Sequence, residues 1–315
     1  MIRRRVIGVL MALLIVPVLL SCAPQVRLPG PAITAPRIYD DHFLARDGAS
    51  LPLKSWLPTI GRPSAVVIAL HGFNDYSNFF NAPGIWLASR GIASYAYDQR
   101  GFGGAPGRGY WPGTDALTDD LSTLTTLVHA RHPGVPVYLL GESMGAAVVM
   151  VASARLAAAS DIRGVILSAP AVWGRTTMPW YQTSALWLSA HTVPGLTLTG
   201  RGLKIVASDN IEMLRALGRD PLVIKETRVD TVYGLTGLMD AALEAAPRLA
   251  LPTLILYGKH DQVIPREPTE RMLAKLPANN KHQRKVVFYE NGYHMLLRDL
   301  QAKTVWSDIA GWIDG

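Results

Sequence analysis

The chain has 315 residues, 49% of them hydrophobic and 17% charged, with one cysteine and a formal net charge of +7. That length can bury one large core, and the composition excludes a disordered chain and an intramolecular disulfide scaffold. The basic residues are scattered, so the positive balance does not point to nucleic acid.

In chain order, Arg3, Arg4 and Arg5 precede an apolar run from Val6 to Leu20. This run is short for a membrane span, which needs about 20 residues, and fits the apolar region of a signal peptide. Leu19-Leu20-Ser21-Cys22 follows. It resembles the lipobox of bacterial lipoproteins, which implies removal of residues 1–21 and acylation of Cys22 as the mature N-terminus. The protein is then expected in the bacterial cell envelope, membrane-anchored and facing outside the cytoplasm. Several acyl chains hold a protein where one gives only marginal binding. Removing residues 1–21 takes away three arginines and no acid, so the formal charge falls from +7 to +4. Residues 22–40 carry Pro24, Pro29, Pro31 and Pro36. They are expected to form an extended tether of roughly 50 Å, at about 3.1 Å per residue, lifting the domain at 41–315 off the membrane.

From residue 41 the pattern is regular. Strands are expected at 41–46 and 51–56 around an Asp47-Gly48 turn, and at 65–70, where AVVIAL is apolar throughout, as in a strand buried on both faces. A helix at 85–89, a strand at 92–97, a helix at 115–129, a strand at 137–140, a helix at 144–159 and a strand at 164–168 follow. The alternation resumes with a strand at 253–257, a helix at 267–276, a strand at 285–289 and a helix at 297–313. Such alternation predicts an α/β fold with a mostly parallel sheet. Between 171 and 250 no strand pattern stands out, so helices and loops are expected there as an insertion.

Residues 141–145 read GESMG, placing Ser143 between an apolar strand and a small-residue helix, the setting of a nucleophile elbow. Side chains at Gly141 and Gly145 would collide in so sharp a turn. The Met144 N–H at the helix start can face an oxyanion. A serine hydroxyl needs a base, and the base an orienting acid. Of eight histidines, His294 falls between the last strand and last helix, where a loop residue reaches the sheet's carboxyl edge. Asp261, in GKHDQVIP, follows a strand to the same edge, whereas Asp98 precedes the serine in chain order. The second oxyanion donor is placed at the Phe73 N–H, in the loop HGFNDYSNFF. His71 beside it reads as a loop-shaping residue. No H-E-x-x-H or cysteine cluster suggests a metal, and no cofactor is needed.

HGFNDYS at 71–77, YDQRGFG at 97–103, GESMG at 141–145, GKHDQVIP at 258–265 and GYH at 292–294 together make residues 41–313 resemble a known group. It is that of the α/β-hydrolases of monoacylglycerol lipase and lysophospholipase type, also grouped with the serine aminopeptidase-like (S33) hydrolases. The resemblance implies a parallel sheet with helices on both faces and an inserted cap. It also implies Ser143 as nucleophile, Asp261 as acid and His294 as base, with acyl esters as substrates. Arg100, in the DQRGFG segment, is expected to pin loops rather than touch substrate. Ala146 and Ala105 stand where the group often has glycine and serine. The cap, at about 171–250, is rich in large apolar groups, including Trp173, Trp180, Tyr181, Trp187, Leu188, Met213, Tyr233 and Met239. That composition suits an acyl-chain pocket. A peptidase or thioesterase on the same fold is the enzymatic alternative, since Glu212, Asp230 or Asp240 could hold a substrate amine. A catalytically silent lipid- or partner-binding lipoprotein is the other.

Overall fold

In a computed structural model, the described residues are 23–156, 162–200, 202 and 204–315. Residues 1–22, where the signal peptide and the acylated Cys22 are expected, lie outside them. A nine-stranded sheet runs in the order β1 (Arg37–Ile38), β2 (His42–Leu44), β3 (Ser50–Trp56), β5 (Ile92–Tyr97), β4 (Ala65–Leu70), β6 (Val137–Glu142), β7 (Ile162–Ser168), β10 (Thr253–Gly258) and β11 (Arg284–Tyr289). From β5 to β11 every neighbouring pair is parallel, while β1, β2 and β3 join antiparallel at one edge.

The all-apolar strands are explained by helices on both faces. Along β4, Val66, Ile68 and Leu70 join a core with Leu117, Leu121 and Leu124 of α2 (Thr114–Arg131) and Val148 of α3 (Met144–Leu156). The alternate residues Ala65, Val67 and Ala69 join a second core with Leu87 of α1 (Asn81–Ala88) and Val305, Trp306 and Ile309 of α8 (Ala302–Asp314). Successive side chains of a strand point to opposite faces, so a run without polar residues is what two covered faces require. Helix α7 (Arg266–Lys275) lies between β10 and β11.

The insertion between β7 and β10 holds α4 (Trp180–Thr192), β8 (Thr197–Thr199), α5 (Ile211–Arg219), β9 (Glu226–Arg228) and α6 (Val229–Ala245). Strands β8 and β9 form a two-stranded antiparallel ribbon, so the cap is not helices and loops alone. At three residues each, these strands are too short to show a period of two. The last helix starts at Ala302 rather than 297, because residues 297–301 are turns.

The proline-rich stretch also departs from a free tether. The Gln25 N–H donates to Asp230 Oδ2 (3.1 Å) and the Gly30 N–H to Asp47 Oδ2 (3.2 Å). The Arg27 N–H donates to the Trp111 carbonyl, and the Ile33 N–H to that of Arg46, at 2.8 Å each. Proline content predicts an extended backbone, and here that backbone finds acceptors on the folded body. Arg100 pins loops as expected, making paired hydrogen bonds to both Asp47 and Asp120 at 2.6–2.9 Å. No helix among the described residues is long and apolar enough to cross a membrane.

Candidate active site

Strand β6 delivers Ser143 to the carboxyl edge of the sheet, directly before α3. Its backbone is left-handed, with φ of 53°, a conformation that costs a non-glycine residue about 1–3 kcal/mol. Neighbouring bonds impose it. The Ser143 N–H donates to the Ser168 carbonyl (2.9 Å), while the Ser143 carbonyl accepts from the N–H groups of Ala147 (3.2 Å) and Ala171 (3.1 Å). A β-carbon on Gly145 would strike the Leu70 carbonyl, and one on Gly141 would strike the backbone of Ala146. Asn74 and Ala169, which follow β4 and β7 at the same edge, also have positive φ. Backbone strain of this kind collects at functional sites.

The expected base and acid, His294 and Asp261, lie in loops that follow adjacent parallel strands, β11 and β10. Gly258 at the end of β10 approaches the backbone of Gly292 and Tyr293 so closely that no β-carbon would fit. The His260 N–H then donates to the Gly292 carbonyl (2.9 Å). This contact draws the two loops together and sets His294 Nδ1 2.8 Å from Asp261 Oδ2. Asp261 Oδ1 accepts from the N–H groups of Val263 (2.8 Å) and Ile264 (2.9 Å), which fix the carboxylate. With Asp261 on Nδ1, the other ring nitrogen, Nε2, remains to take a proton. Burial pushes the His294 imidazole toward a lower pKa, but Asp261, and behind it Glu142, outweigh burial and the opposing Arg298, so its value lies above that of an ordinary histidine.

The Met144 N–H heads α3, and the Phe73 N–H sits in the loop after β4. Among the described residues neither donates to a protein acceptor, leaving both available to an oxyanion. His71 has a shaping role: its Nε2 accepts from the Gln99 N–H (2.9 Å), and its Nδ1 lies 2.8 Å from the Gly72 carbonyl.

A buried ion cluster next to these groups escaped the sequence reading. Arg298 Nη2 lies 2.7 Å from Asp75 Oδ2 and 2.8 Å from Glu142 Oε1, and all three side chains are buried. One guanidinium thus ties the loop after β4, the residue before Ser143 and the loop carrying His294. The only signal in the sequence was an arginine four residues after His294, read as part of the closing helix. The cap grips the same loop, because the N–H groups of His294 (3.1 Å) and Met295 (3.0 Å) both donate to the Ala207 carbonyl. Asp299, which accepts from Ser208 Oγ (2.6 Å) and the Tyr293 N–H (2.8 Å), adds to the grip.

The cap's large residues do not all line a pocket. Trp180, Tyr181, Trp187 and Leu188 are exposed, whereas Met239 is buried. Met213 lines a cavity of about 530 Å³, which Asp75 and Arg298 also line and which Ser143 does not. The three carboxylates considered for amine binding are all engaged by arginines: Glu212 by Arg215, Asp230 by Arg228 and Asp240 by Arg175.

The sign of the Glu142 effect can be measured. The groups facing His294 are Asp261, Glu142, Arg298 and Asp299. A base must be neutral to accept a proton, so with His294 in the role expected of it kcat/KM is expected to fall on the acid side of its pKa. Glu142→Gln removes a negative charge that favours the imidazolium, and the acid limb is expected to move to lower pH. An unmoved or upward-shifted limb in a kcat/KM–pH profile would contradict this.

Comparison with known proteins bears on the same region. A family model described as serine aminopeptidase, S33, matches residues 61–301. A monoacylglycerol lipase of Mycolicibacterium smegmatis is 24% identical over 273 residues, spanning 86% of this chain and 95% of its own. The monoglyceride lipase of Rattus norvegicus is 27% identical over 278 residues, spanning 86% and 89%. Among solved structures, a soluble variant of monoglyceride lipase from Saccharomyces cerevisiae, in complex with a substrate analog, superposes with a TM-score of 0.71 at 20% identity, covering 91% of this chain and 98% of that one. The Paleococcus ferrophilus monoacylglycerol lipase gives a TM-score of 0.69 at 22% identity, covering 84% and 98%. The mostly parallel sheet flanked by helices is shared with these α/β-hydrolases.

Proposed function

The chain belongs to the serine aminopeptidase, S33, family, and from that premise we propose that it hydrolyses carboxylic esters of acyl lipids, of monoacylglycerol or lysophospholipid type. The reading rests on one juxtaposition: a serine held in a strained elbow, brought to the sheet edge that carries the buried His294–Asp261 pair. Ser143 Oγ attacks the ester carbonyl as His294 Nε2 takes its proton. Asp261 keeps the ring oriented and stabilises the imidazolium. The N–H groups of Phe73 and Met144 hold the oxyanion. The tetrahedral intermediate collapses to an acyl-enzyme as His294 returns the proton to the departing alcohol. Water, activated by the same histidine, then releases the acid.

Two observations favour an ester over a peptide. The relatives above are named as lipases, and each cap carboxylate considered for an amine is already paired with an arginine. For the buried Asp230, giving up its arginine would leave Arg228 without its partner. The N-terminus belongs to the same proposal: Leu19-Leu20-Ser21-Cys22 supports acylation of Cys22 and attachment at the bacterial envelope, outside the cytoplasm. Turnover on a panel of monoacylglycerols, lysophospholipids and N-terminally free peptide amides tests the substrate class. The lipid esters are expected to be cleaved with the highest kcat/KM. Faster cleavage of peptide amides would overturn the ester reading.

A further inference from the structure

The loop at 71–77 carries the Phe73 N–H, the proposed oxyanion donor, and runs beside Ser143: a β-carbon on Gly72 would lie 3.4 Å from Ser143 Cβ. Its tip is a tight turn. The Gly72 carbonyl accepts the Asp75 N–H (3.3 Å), and of the two residues between them only Asn74 has positive φ, at 64°. Positive φ confined to the third residue marks a type II turn, where glycine fits freely and asparagine is the usual substitute. Left-handed backbone still costs a residue that bears a side chain. Asn74 carries a second cost, because its Oδ1 is buried with no partner among the described residues.

Both costs fall where the cap reaches the loop. Asn74 Nδ2 donates to Thr227 Oγ1 (2.7 Å) across 153 residues of sequence, and the Asn74 carbonyl accepts the Ile224 N–H (2.9 Å). Two residues on, the Tyr76 hydroxyl donates to Asp220 Oδ2 (2.7 Å). Thr227 is buried in the middle of β9. Among the described residues, every hydrogen bond of Asn74 goes to this one cap segment, 220–227. The body holds the flanking residues: His71 through Gln99, Asp75 through Arg298, and Ser77, whose N–H donates to Asp98 Oδ1 (2.9 Å). Those ties fix the two ends of the loop and leave its tip to the cap.

We infer that Asn74 and Thr227 are positioning residues: through their hydrogen bond the cap holds the turn that presents the Phe73 N–H to the oxyanion. The inference rests on the proposed acyl-transfer role of Ser143. Without the tie the strained turn relaxes toward type I, in which the third residue has φ of about −90° and ψ of the second differs by about 150°. That second residue is Phe73 itself. An oxyanion donor acts from a preorganised position, and a misplacement of about 1 Å costs on the order of 10²-fold in rate. Glycine at position 74 would keep positive φ with no tie, so the dependence on Thr227 comes from asparagine standing there.

The test is a double-mutant cycle in the full chain, with p-nitrophenyl butyrate as substrate and denaturant midpoints read beside kcat. Thr227→Val is expected to lower kcat about 10- to 100-fold with KM within about twofold, the split of an interaction that acts in the transition state. Thr227→Ser, which keeps the hydroxyl, should stay near wild type, and Asn74→Ala should lose at least as much as Thr227→Val. Asn74→Gly should retain most of the activity, and adding Thr227→Val to it should change nothing further. Affinity for a trifluoromethyl ketone, which forms an oxyanion when Ser143 adds to it, should fall in step with kcat. A loss of folded protein alone would not move that affinity relative to KM. Wild-type kcat in Thr227→Val overturns the tie, and so does a Thr227→Val loss that is undiminished in the Asn74→Gly background. Asn74→Gly as impaired as Asn74→Ala overturns the turn as what the tie protects. Any of these failures in a wild type that a fluorophosphonate labels at Ser143 leaves the acyl-transfer reading standing, whereas an unlabelled, inactive wild type overturns both.

Discussion

Ser143→Ala is expected to lower kcat by about 10⁴–10⁶-fold, the loss that follows removal of a triad nucleophile. The fold should be unaffected. The elbow is set by backbone bonds to Ser168, Ala147 and Ala171, none of which involves the hydroxyl, and alanine bears φ of 53° about as well as serine. Thermal unfolding is therefore expected within about 1 °C of the wild type, since surface-scale changes stay within about 0.5 kcal/mol. A fluorophosphonate probe should label the wild type on the peptide containing Ser143 and leave the variant unlabelled. Ser168, whose buried hydroxyl has no partner among the described residues, is the neighbouring serine against which the mapping discriminates. Activity within tenfold of wild type in Ser143→Ala would move the nucleophile elsewhere. Probe resistance in a folded wild type that cleaves no ester would leave a lipid-binding protein.

The groups legible in the sequence were those whose position follows from local pattern. An apolar run marks a strand covered on both faces, so AVVIAL fell at β4 residue for residue. A glycine-flanked serine after such a run marks an elbow, and loops after later strands must open onto the same edge. Long-range choices were not legible. Arg298 meets Glu142 across 156 residues of sequence, and nothing local distinguishes it from an exposed helical arginine. Hydrophobicity in the cap signalled that large apolar groups were present without saying which way they face. Trp180 and Trp187 turn outward while Met239 turns in. Proline content likewise predicted an extended tether over residues 22–40, but neither the strand at Arg37–Ile38 nor the acceptors at Asp230, Asp47 and Arg46 that hold residues 25–33.

Arg298→Met is expected to destabilise the protein by about 3–5 kcal/mol, the usual consequence of leaving a buried charge without its partner. Here one cation faces two buried carboxylates, Asp75 and Glu142, so the loss takes a large share of a typical 5–15 kcal/mol. A Tm drop of roughly 10 °C follows for a chain of this size. The effect carries a pH signature. Burial already pushes the Glu142 carboxyl above the ordinary carboxylate range, with Arg298 opposing that rise; removing Arg298 raises it further. A group whose folded pKa exceeds its unfolded value contributes stability at pH below the unfolded value, and that contribution is lost as pH rises through the folded one. The deficit of Arg298→Met should therefore be small in acid and grow toward neutral pH. Adding Glu142→Gln and Asp75→Asn removes both orphaned charges and should recover most of the stability. Activity should not recover with it, because the guanidinium is also the tie between the loop bearing Phe73, the elbow and the loop bearing His294. A misplacement of about 1 Å among such groups costs on the order of 10²-fold in rate. Denaturant unfolding at several pH values, read beside kcat, separates the two roles. A triple variant that regains both stability and kcat would make the cluster a matter of charge balance alone, and one that regains neither would refute the electrostatic account of its stability.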